Sequence, residues 1–511
     1  MSGVRLDGGS VSITQCCDVA RLGSPVSLGG GAVDRVRASR RRVEDVLAAG
    51  DVHYGINTGF GSLSRQVIPS DQLGALQLNL VRSHAAGVGE PHAVETVRAA
   101  MFLAAASLSR GASGVRLELV EALIGVLNAG VTPVVPAIGS VGASGDLAPL
   151  AHVGLVLVGE GLADTPNGRM GGREALASAG LKPIKLEAKE GLALLNGTHF
   201  MAAEGALLAA DWQQLFDAAL IACAMSYDAY RATDSCLDER VLEHRGHAGP
   251  VDVADAMREL LADSEILASH REGDSRVQDP YSLRCVPQVL GAALDCWRYV
   301  KQSVDRELAA VSDNPLVFDA VGGTAGVDVV SAGNFHGMPI ALPLDALASA
   351  TAHVAGISER RVFLLLAARE PESMLRPYLA DQPGVESGLM IAQYTAAACC
   401  NELVGLASSA TAANIPTSAG VEDYNSFGPR AAAKARRGID LARRVVAIEL
   451  LCAAEGVECH RPLRSSAVVE NAHAAVRSVA LDAPGDRPPS PEIEAIADQI
   501  GRGTYTTGRA W

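Results

Sequence analysis

Apolar residues recur every three or four positions through most of this chain, and the stretches where that rhythm fails hold its unusual residues. Leu208, Trp212, Leu215, Ala219 and Ala222 fall at steps of four, three, four and three, a continuous stripe on one helix face. The same rhythm predicts long helices near 203–231, 285–311, 340–369, 388–412 and 430–455, with Ala at many contacts so that axes can approach closely. Shorter periodic runs between 70 and 128 predict two or three helices, interrupted at Gly87-Val88-Gly89-Glu90-Pro91, and 148–162 predicts another. Residues 1–50 read as a short strand around Val11-Ser12-Ile13 followed by an Arg-rich helix near 36–47. Pro133 and Pro136 force extended geometry, and 166–172 reads as a turn or hairpin tip. Irregular segments at 272–284, 312–337, 370–388, 414–429 and 482–491 are too elaborate to be mere connectors. No repeat of fixed period is present. The pattern predicts a mainly α chain, with a mixed N-terminal domain over 1–202 and a long-helix bundle and C-terminal helical region over 203–511.

Composition sharpens this picture. With 48% apolar, 20% charged and only 4% aromatic residues, Ala, Val and Leu must do most of the packing, which favours close-packed helices. A formal charge of −15 argues against nucleic acid as a partner, since phosphates need clustered Lys and Arg. The 10 cysteines include two adjacent doublets, Cys16-Cys17 and Cys399-Cys400, but no C-x2-C spacing. They signal neither a disulfide framework nor a zinc site and read as small buried hydrophobes in a reducing cytoplasm. No basic leader precedes an apolar run, and no window approaches the ~18 uninterrupted apolar residues of a membrane span. The expectation is a cytoplasmic protein without a membrane partner. Arg430, Lys434, Arg437 and Arg444 form a basic helix face expected to be solvated or paired, and Glu243, His244 and His247 have no metal-ligand spacing.

Two broken stretches carry candidate chemistry. His53-Tyr54-Gly55-Ile56-Asn57-Thr58-Gly59-Phe60-Gly61 is a glycine-punctuated loop that a plain surface turn would also explain, and it lacks the third Gly of a dinucleotide fingerprint. Gly139 to Leu150 is crowded with small residues to a degree that no helix or strand interior favours. At Ala143-Ser144-Gly145, attack of the Gly145 amide nitrogen on the Ala143 carbonyl would close a five-membered ring. Loss of water there and dehydration of Ser144 would leave an exocyclic methylene, a strong electrophile. Residue types suit the step: Gly145 leaves its nitrogen unhindered, Ala143 keeps its carbonyl accessible, Ser144 has a hydroxyl to lose and Asp146 can assist proton transfer. A glycine-rich turn remains the bland alternative, while a nucleophile elbow lacks its second Gly.

Gly142-Ala143-Ser144-Gly145-Asp146-Leu147-Ala148-Pro149-Leu150 resembles the signature of the aromatic amino acid ammonia-lyases and aminomutases, which build 4-methylideneimidazol-5-one from their own Ala-Ser-Gly. Tyr54-Gly55-Ile56-Asn57-Thr58-Gly59-Phe60-Gly61, Leu194-Leu195-Asn196-Gly197-Thr198, Val277-Gln278-Asp279-Pro280-Tyr281-Ser282-Leu283-Arg284, Ser312-Asp313-Asn314-Pro315-Leu316 and Gly333-Asn334-Phe335-His336 match in the family's order. The resemblance runs from about residue 10 to 505. It implies a fumarase/aspartase-like helical fold, a self-derived electrophile with no dissociable cofactor or metal, an amino acid substrate, and a homotetramer whose active sites combine residues from three subunits. Ser83-His84-Ala85-Ala86-Gly87-Val88-Gly89 is similar to the histidine-specific branch, where phenylalanine lyases tend to carry Phe-Leu and tyrosine lyases His-Leu. That implies elimination of ammonia from L-histidine to give trans-urocanate.

By the same resemblance Tyr54 is the β-proton base and His84, otherwise a helix-end or core histidine, contacts the substrate ring. Asn196 and Phe335 line the electrophile, and Glu422 contacts the imidazole or moves protons. Arg284 would hold the substrate carboxylate as a bidentate pair, with Gln278 and Tyr281 on the same loop. Their spacing of three predicts one side of a helical turn. One segment departs from the histidine branch: where Gln-Glu-Asp-His-Val-Ser-Met is usual, this chain reads Val421-Glu422-Asp423-Tyr424-Asn425-Ser426-Phe427, and His199 after Thr198 is a lesser departure. A phenylalanine or tyrosine ammonia-lyase or a 2,3-aminomutase with the same electrophile is therefore the alternative, and a non-catalytic helical scaffold is the rival from another class.

Overall fold

The predicted long helices form, at His199–Tyr230, Val286–Glu307, Met338–Ala367, Met390–Leu406 and Gly428–Glu458. The structure is a computed structural model that describes residues 3–320, 326–480 and 485–511. The expected irregular segments at 312–337 and 482–491 therefore lie partly outside the described residues. The chain folds as two units that alternate along its length. One comprises Met1–Ala210, Lys301–Leu344 and Ala410–Ala432; the other comprises Asp211–Val300, Asp345–Ser409 and Ala433–Trp511.

In the first unit, helices Leu73–His84, Val94–Leu108, Leu117–Asn128 and Leu147–Leu157 occupy the stretches where the apolar rhythm predicts them. Between them, Val88–Pro91 pairs antiparallel with Pro136–Ile138, so the glycine break after His84 is a strand. The expected hairpin tip joins Leu162–Thr165 to Gly168–Gly171. The strand expected around Val11 is corrected: Ser12 is an N-cap, accepting from Gln15 N while the Gln15 side chain accepts from Ser12 N, and a helix runs over Ile13–Arg21. A capping box satisfies otherwise orphaned amides at a helix start, which outweighs the local β-branched pair. The strands of this region are Val4–Leu6 and Val26–Leu28, paired in parallel.

In the second unit, Trp212 stacks on Phe216 and on Trp297, with ring centroids 4.8 and 5.8 Å apart. Deeper in it, the buried Glu449 carboxylate accepts from Ser226 Oγ at 2.7 Å, from Ser358 Oγ, and from Arg361, whose Nη2 lies at 2.8 Å. The guanidinium and two hydroxyls compensate a charge removed from water. Of the basic face on Gly428–Glu458, Arg437 pairs with Glu402 and Arg444 with Glu494. Lys434 is buried rather than solvated and donates to the Ser408 carbonyl. Met338–Ala367 reaches a mean hydropathy of 1.4, enough by length and composition to cross a membrane, yet 67% of that stretch is buried inside protein. All ten cysteines carry free thiols.

Candidate active site

The Gly139–Asp146 stretch is a turn held from both sides. Gly142 and Gly145 have φ of +67° and +70°, the left-handed region that glycine enters without steric cost. A Cβ on Gly145 would lie 2.1 Å from the Gly197 carbonyl oxygen, and one on Gly142 would lie 2.0 Å from Ser426 Oγ. Gly145 therefore needs glycine for space as well as dihedral, since its neighbour is backbone, while Gly142 needs it for the dihedral and for the Ser426 hydroxyl to keep its place. Asp146 N donates to the Gly197 carbonyl at 2.7 Å, Ser426 Oγ donates to the Gly142 carbonyl at 3.0 Å, and Phe427 N donates to the Val141 carbonyl at 2.9 Å. The buried Asp146 side chain ties the turn to a helix start, its Oδ2 accepting from Phe200 N and Met201 N at 2.9 Å and its Oδ1 from Ser140 Oγ at 3.1 Å. Burial pushes this carboxyl up to about 7 against the pull of those donors.

This turn presents Ser144 to a cavity of about 690 Å³ whose wall also holds Tyr54, His84, Asn196, Phe335 and Glu422. Residues far apart in sequence are thus brought together within the first unit. Ala143, buried, and Gly145 flank Ser144 in the chain. Among the described residues the wall is otherwise mostly apolar, and it includes no Lys or Arg.

Each polar group has a defined setting. Tyr54 sits on the glycine-punctuated loop; burial raises its pKa above 10.0, Gly61's backbone hydrogen bond opposes that, and the nearby Glu422 charge adds to it. His84 ends the Leu73–His84 helix with Nδ1 2.9 Å from the Leu80 carbonyl. A carbonyl oxygen only accepts, so Nδ1 carries the proton and Nε2 is an acceptor. Burial lowers the His84 pKa, which favours this neutral ring. Asn196 donates from Nδ2 to the Asn314 carbonyl at 2.9 Å, while its buried Oδ1 has no hydrogen-bond partner. Glu422 accepts from Ser144 Oγ at 3.3 Å on Oε1 and from Thr417 Oγ1 at 2.8 Å on Oε2.

Gln278, Tyr281 and Arg284 lie in the second unit and do not line this cavity. Their predicted shared helical face is corrected: Pro280 caps a short helix at Tyr281–Arg284, and Gln278 precedes it. Proline lacks the amide needed to extend the helix upstream and biases the residue before it away from helical geometry. Tyr281 is 69% exposed, and the Arg284 guanidinium lies 4.7 Å over its ring with Nε unpartnered. Sequence reasoning missed Leu80, whose carbonyl sets the His84 tautomer, Gly197, which receives the turn, and Thr417. Leu80 and Thr417 stand in no motif, and Gly197, though inside the Leu194-Leu195-Asn196-Gly197-Thr198 match, has a backbone role that the match does not announce.

The aromatic amino acid lyase family profile matches residues 11–478. A histidine ammonia-lyase from Anaeromyxobacter dehalogenans (strain 2CP-C) is 45% identical over 511 residues, covering 98% of this chain and 99% of that protein. The crystal structure of histidine ammonia-lyase from Trypanosoma cruzi superposes with a TM-score of 0.89 at 38% identity, covering 98% of this chain and 94% of that one. Tyrosine aminomutase from Streptomyces globisporus superposes with a TM-score of 0.92 at 30% identity, covering 98% and 97%. The chain belongs to the aromatic amino acid lyase family and has its fumarase/aspartase-like helical fold.

Proposed function

We propose that this chain is a histidine ammonia-lyase, which eliminates ammonia from L-histidine to give trans-urocanate. The observation that carries the reading is the gathering of Tyr54, His84, Asn196, Phe335 and Glu422 around Ser144, in a chain 45% identical over its length to a protein of that name. The prosthetic group is 4-methylideneimidazol-5-one, closed from Ala143, Ser144 and Gly145 with loss of two waters, and it would supply an electrophile that makes the substrate amine a better leaving group. The residues present suit it: the turn admits no side chain at Gly145 and Ser144 faces the cavity, while Asn196 Oδ1, a buried acceptor without a donor, can accept from the substrate amine.

The chain's own groups then divide the work. Tyr54, as phenolate, takes the β-proton. His84 receives the substrate ring N–H on Nε2, Phe335 packs beside the reacting centre, and Glu422 holds its charge next to Ser144. Gln278, Tyr281 and Arg284 bind the substrate carboxylate from a neighbouring copy in a cytosolic homotetramer, Arg284 as a bidentate pair. The absence of Lys and Arg from the cavity wall supports that arrangement, because an amino acid carboxylate needs a cation that this wall does not provide. Val421, in the wall where histidine lyases usually carry Gln, is the observation that favours the second reading, a phenylalanine or tyrosine lyase or a 2,3-aminomutase.

Incubation with L-histidine should yield the ultraviolet absorbance of urocanate, and the intact mass should fall short of the sequence mass by two waters. An unmodified peptide across 143–145 would overturn the lyase reading. Product from tyrosine or phenylalanine, with none from histidine, would move the assignment to the second reading.

A further inference from the structure

We infer that Thr417 is a positioning residue that holds the Glu422 carboxylate toward Ser144, an inference that rests on the ammonia-lyase reading. The loop 414–427 is closed by a reciprocal clasp: Asn425 N donates to Asn414 Oδ1 at 2.8 Å, and Asn414 Nδ2 donates to the Asn425 carbonyl at 2.7 Å. Within it, Thr417 N donates to the Glu422 carbonyl at 2.9 Å while the Thr417 hydroxyl donates to Glu422 Oε2 at 2.8 Å. Backbone and side chain of one residue thus grip backbone and side chain of the other.

The chain between them is bent sharply to allow this. Ser418, Ala419 and Gly420 have φ of 49°, 53° and 84°, so two residues with a Cβ are held in the left-handed region. Such conformations are costly and persist only where surrounding contacts over-determine them. The bend places the Glu422 backbone against Thr417 and its carboxylate at the cavity wall beside Ser144.

With Oε2 fixed by Thr417, Oε1 points at Ser144 Oγ, 3.3 Å away. That oxygen would leave as water in forming the electrophile, and Oε1 would then face the position where the substrate amine arrives. Removing the Thr417 hydroxyl frees the carboxylate to turn about its last bond, and misplacement of a charged group by even about 1 Å can cost on the order of 100-fold in rate.

Thr417→Val removes the donor at nearly constant shape, and Thr417→Ser keeps it. With L-histidine, we expect Thr417→Val to lower kcat about 10- to 100-fold, as loss of one charge-assisted hydrogen bond predicts, with KM within about threefold. Thr417→Ser should stay within about threefold of the parent on both, and both variants should keep the two-water deficit in intact mass. Full kcat in Thr417→Val overturns the inference. So does equal loss in Thr417→Ser, which would assign the effect to the methyl group, or a missing two-water deficit, which would place Thr417 in forming the electrophile. Thr417→Ala, read the same way, replaces the valine variant if that one is insoluble. If the parent converts tyrosine or phenylalanine but not histidine, the histidine reading fails, and the valine–serine contrast on the converted substrate still decides the role of Thr417.

Discussion

His199 follows Asn196-Gly197-Thr198, and both its ring nitrogens are buried without a hydrogen-bond partner. Its ring fills space against Gly197, where an added Cβ would lie 2.5 Å from Cε1. Burial holds the His199 pKa down at about 4, against an ordinary 6.5. As pH falls from 6.5 toward 4 the unfolded chain takes up a proton that the folded chain refuses, so stability drops through that window. At pH 5 the loss is about 2 kcal/mol, and at pH 7 it is negligible. His199→Gln, neutral in both states, should therefore gain on the parent in thermal midpoint between pH 7 and pH 5; an equal gap at both pH values would mean that the ring protonates freely in the fold. Tyr54 meets the opposite difficulty, since burial and Glu422 both raise the phenol that the proposed reaction needs as phenolate. Activity should accordingly rise with pH between 7 and 9. Tyr54→Phe should lower kcat by about 100- to 10,000-fold, the range of general-base catalysis, while keeping the two-water deficit. A Phe variant with parental kcat would remove the phenol from the proton transfer.

Element identity was legible where a periodic run was long, as in His199–Tyr230 and Gly428–Glu458, because each repeated turn adds to the same face. Short elements were not. Leu316–Asp319 and Val327–Val330 pair antiparallel inside a segment expected to be irregular, although Val327-Asp328-Val329-Val330 is rich in β-branched residues. Nor does any local pattern announce why the Glu190–Leu195 helix is fixed. Just before it, Lys189, fully buried, donates from Nζ to Asp313 Oδ2 at 2.7 Å, and Asp313 Oδ1 accepts from Asn314 N at 2.7 Å. This pair lies between two segments 124 residues apart and joins the Asn196 segment to the Asn314 carbonyl that Asn196 bonds. Lys189→Met strands a buried carboxylate and should destabilise the chain by about 3 to 5 kcal/mol. Adding Asp313→Leu should recover much of that in the thermal midpoint, because the unpaired charge is then gone; a double variant as unstable as the single would show that the lysine stem, rather than its charge, holds the helix.

At the scale of the whole molecule, the sequence pointed to the right chemistry but could not say which residues share a wall. Tyr54, His84, Ser144, Asn196, Phe335 and Glu422 meet in one cavity because the first unit gathers chain from Met1–Ala210, Lys301–Leu344 and Ala410–Ala432, a grouping that spacing along the chain cannot reveal. Gln278, Tyr281 and Arg284 are the remainder, proposed to take the substrate carboxylate because the described residues of this wall include no Lys or Arg. If a neighbouring copy supplies Arg284, two inactive variants can repair each other. Tyr54→Phe lacks the base in every copy and Arg284→Gln lacks the carboxylate grip, yet a co-assembled mixture contains cavities with an intact Tyr54 from one parent and an intact Arg284 from the other. Random assembly of equal amounts makes about a quarter of the cavities complete, so the mixture should recover about a quarter of parental kcat per site. Mixing without subunit exchange should recover nothing, which separates assembly from simple addition. Co-expressed variants that copurify as hetero-oligomers but stay as inactive as either alone would place base and arginine in the same copy, and the shared-site tetramer would have to be given up.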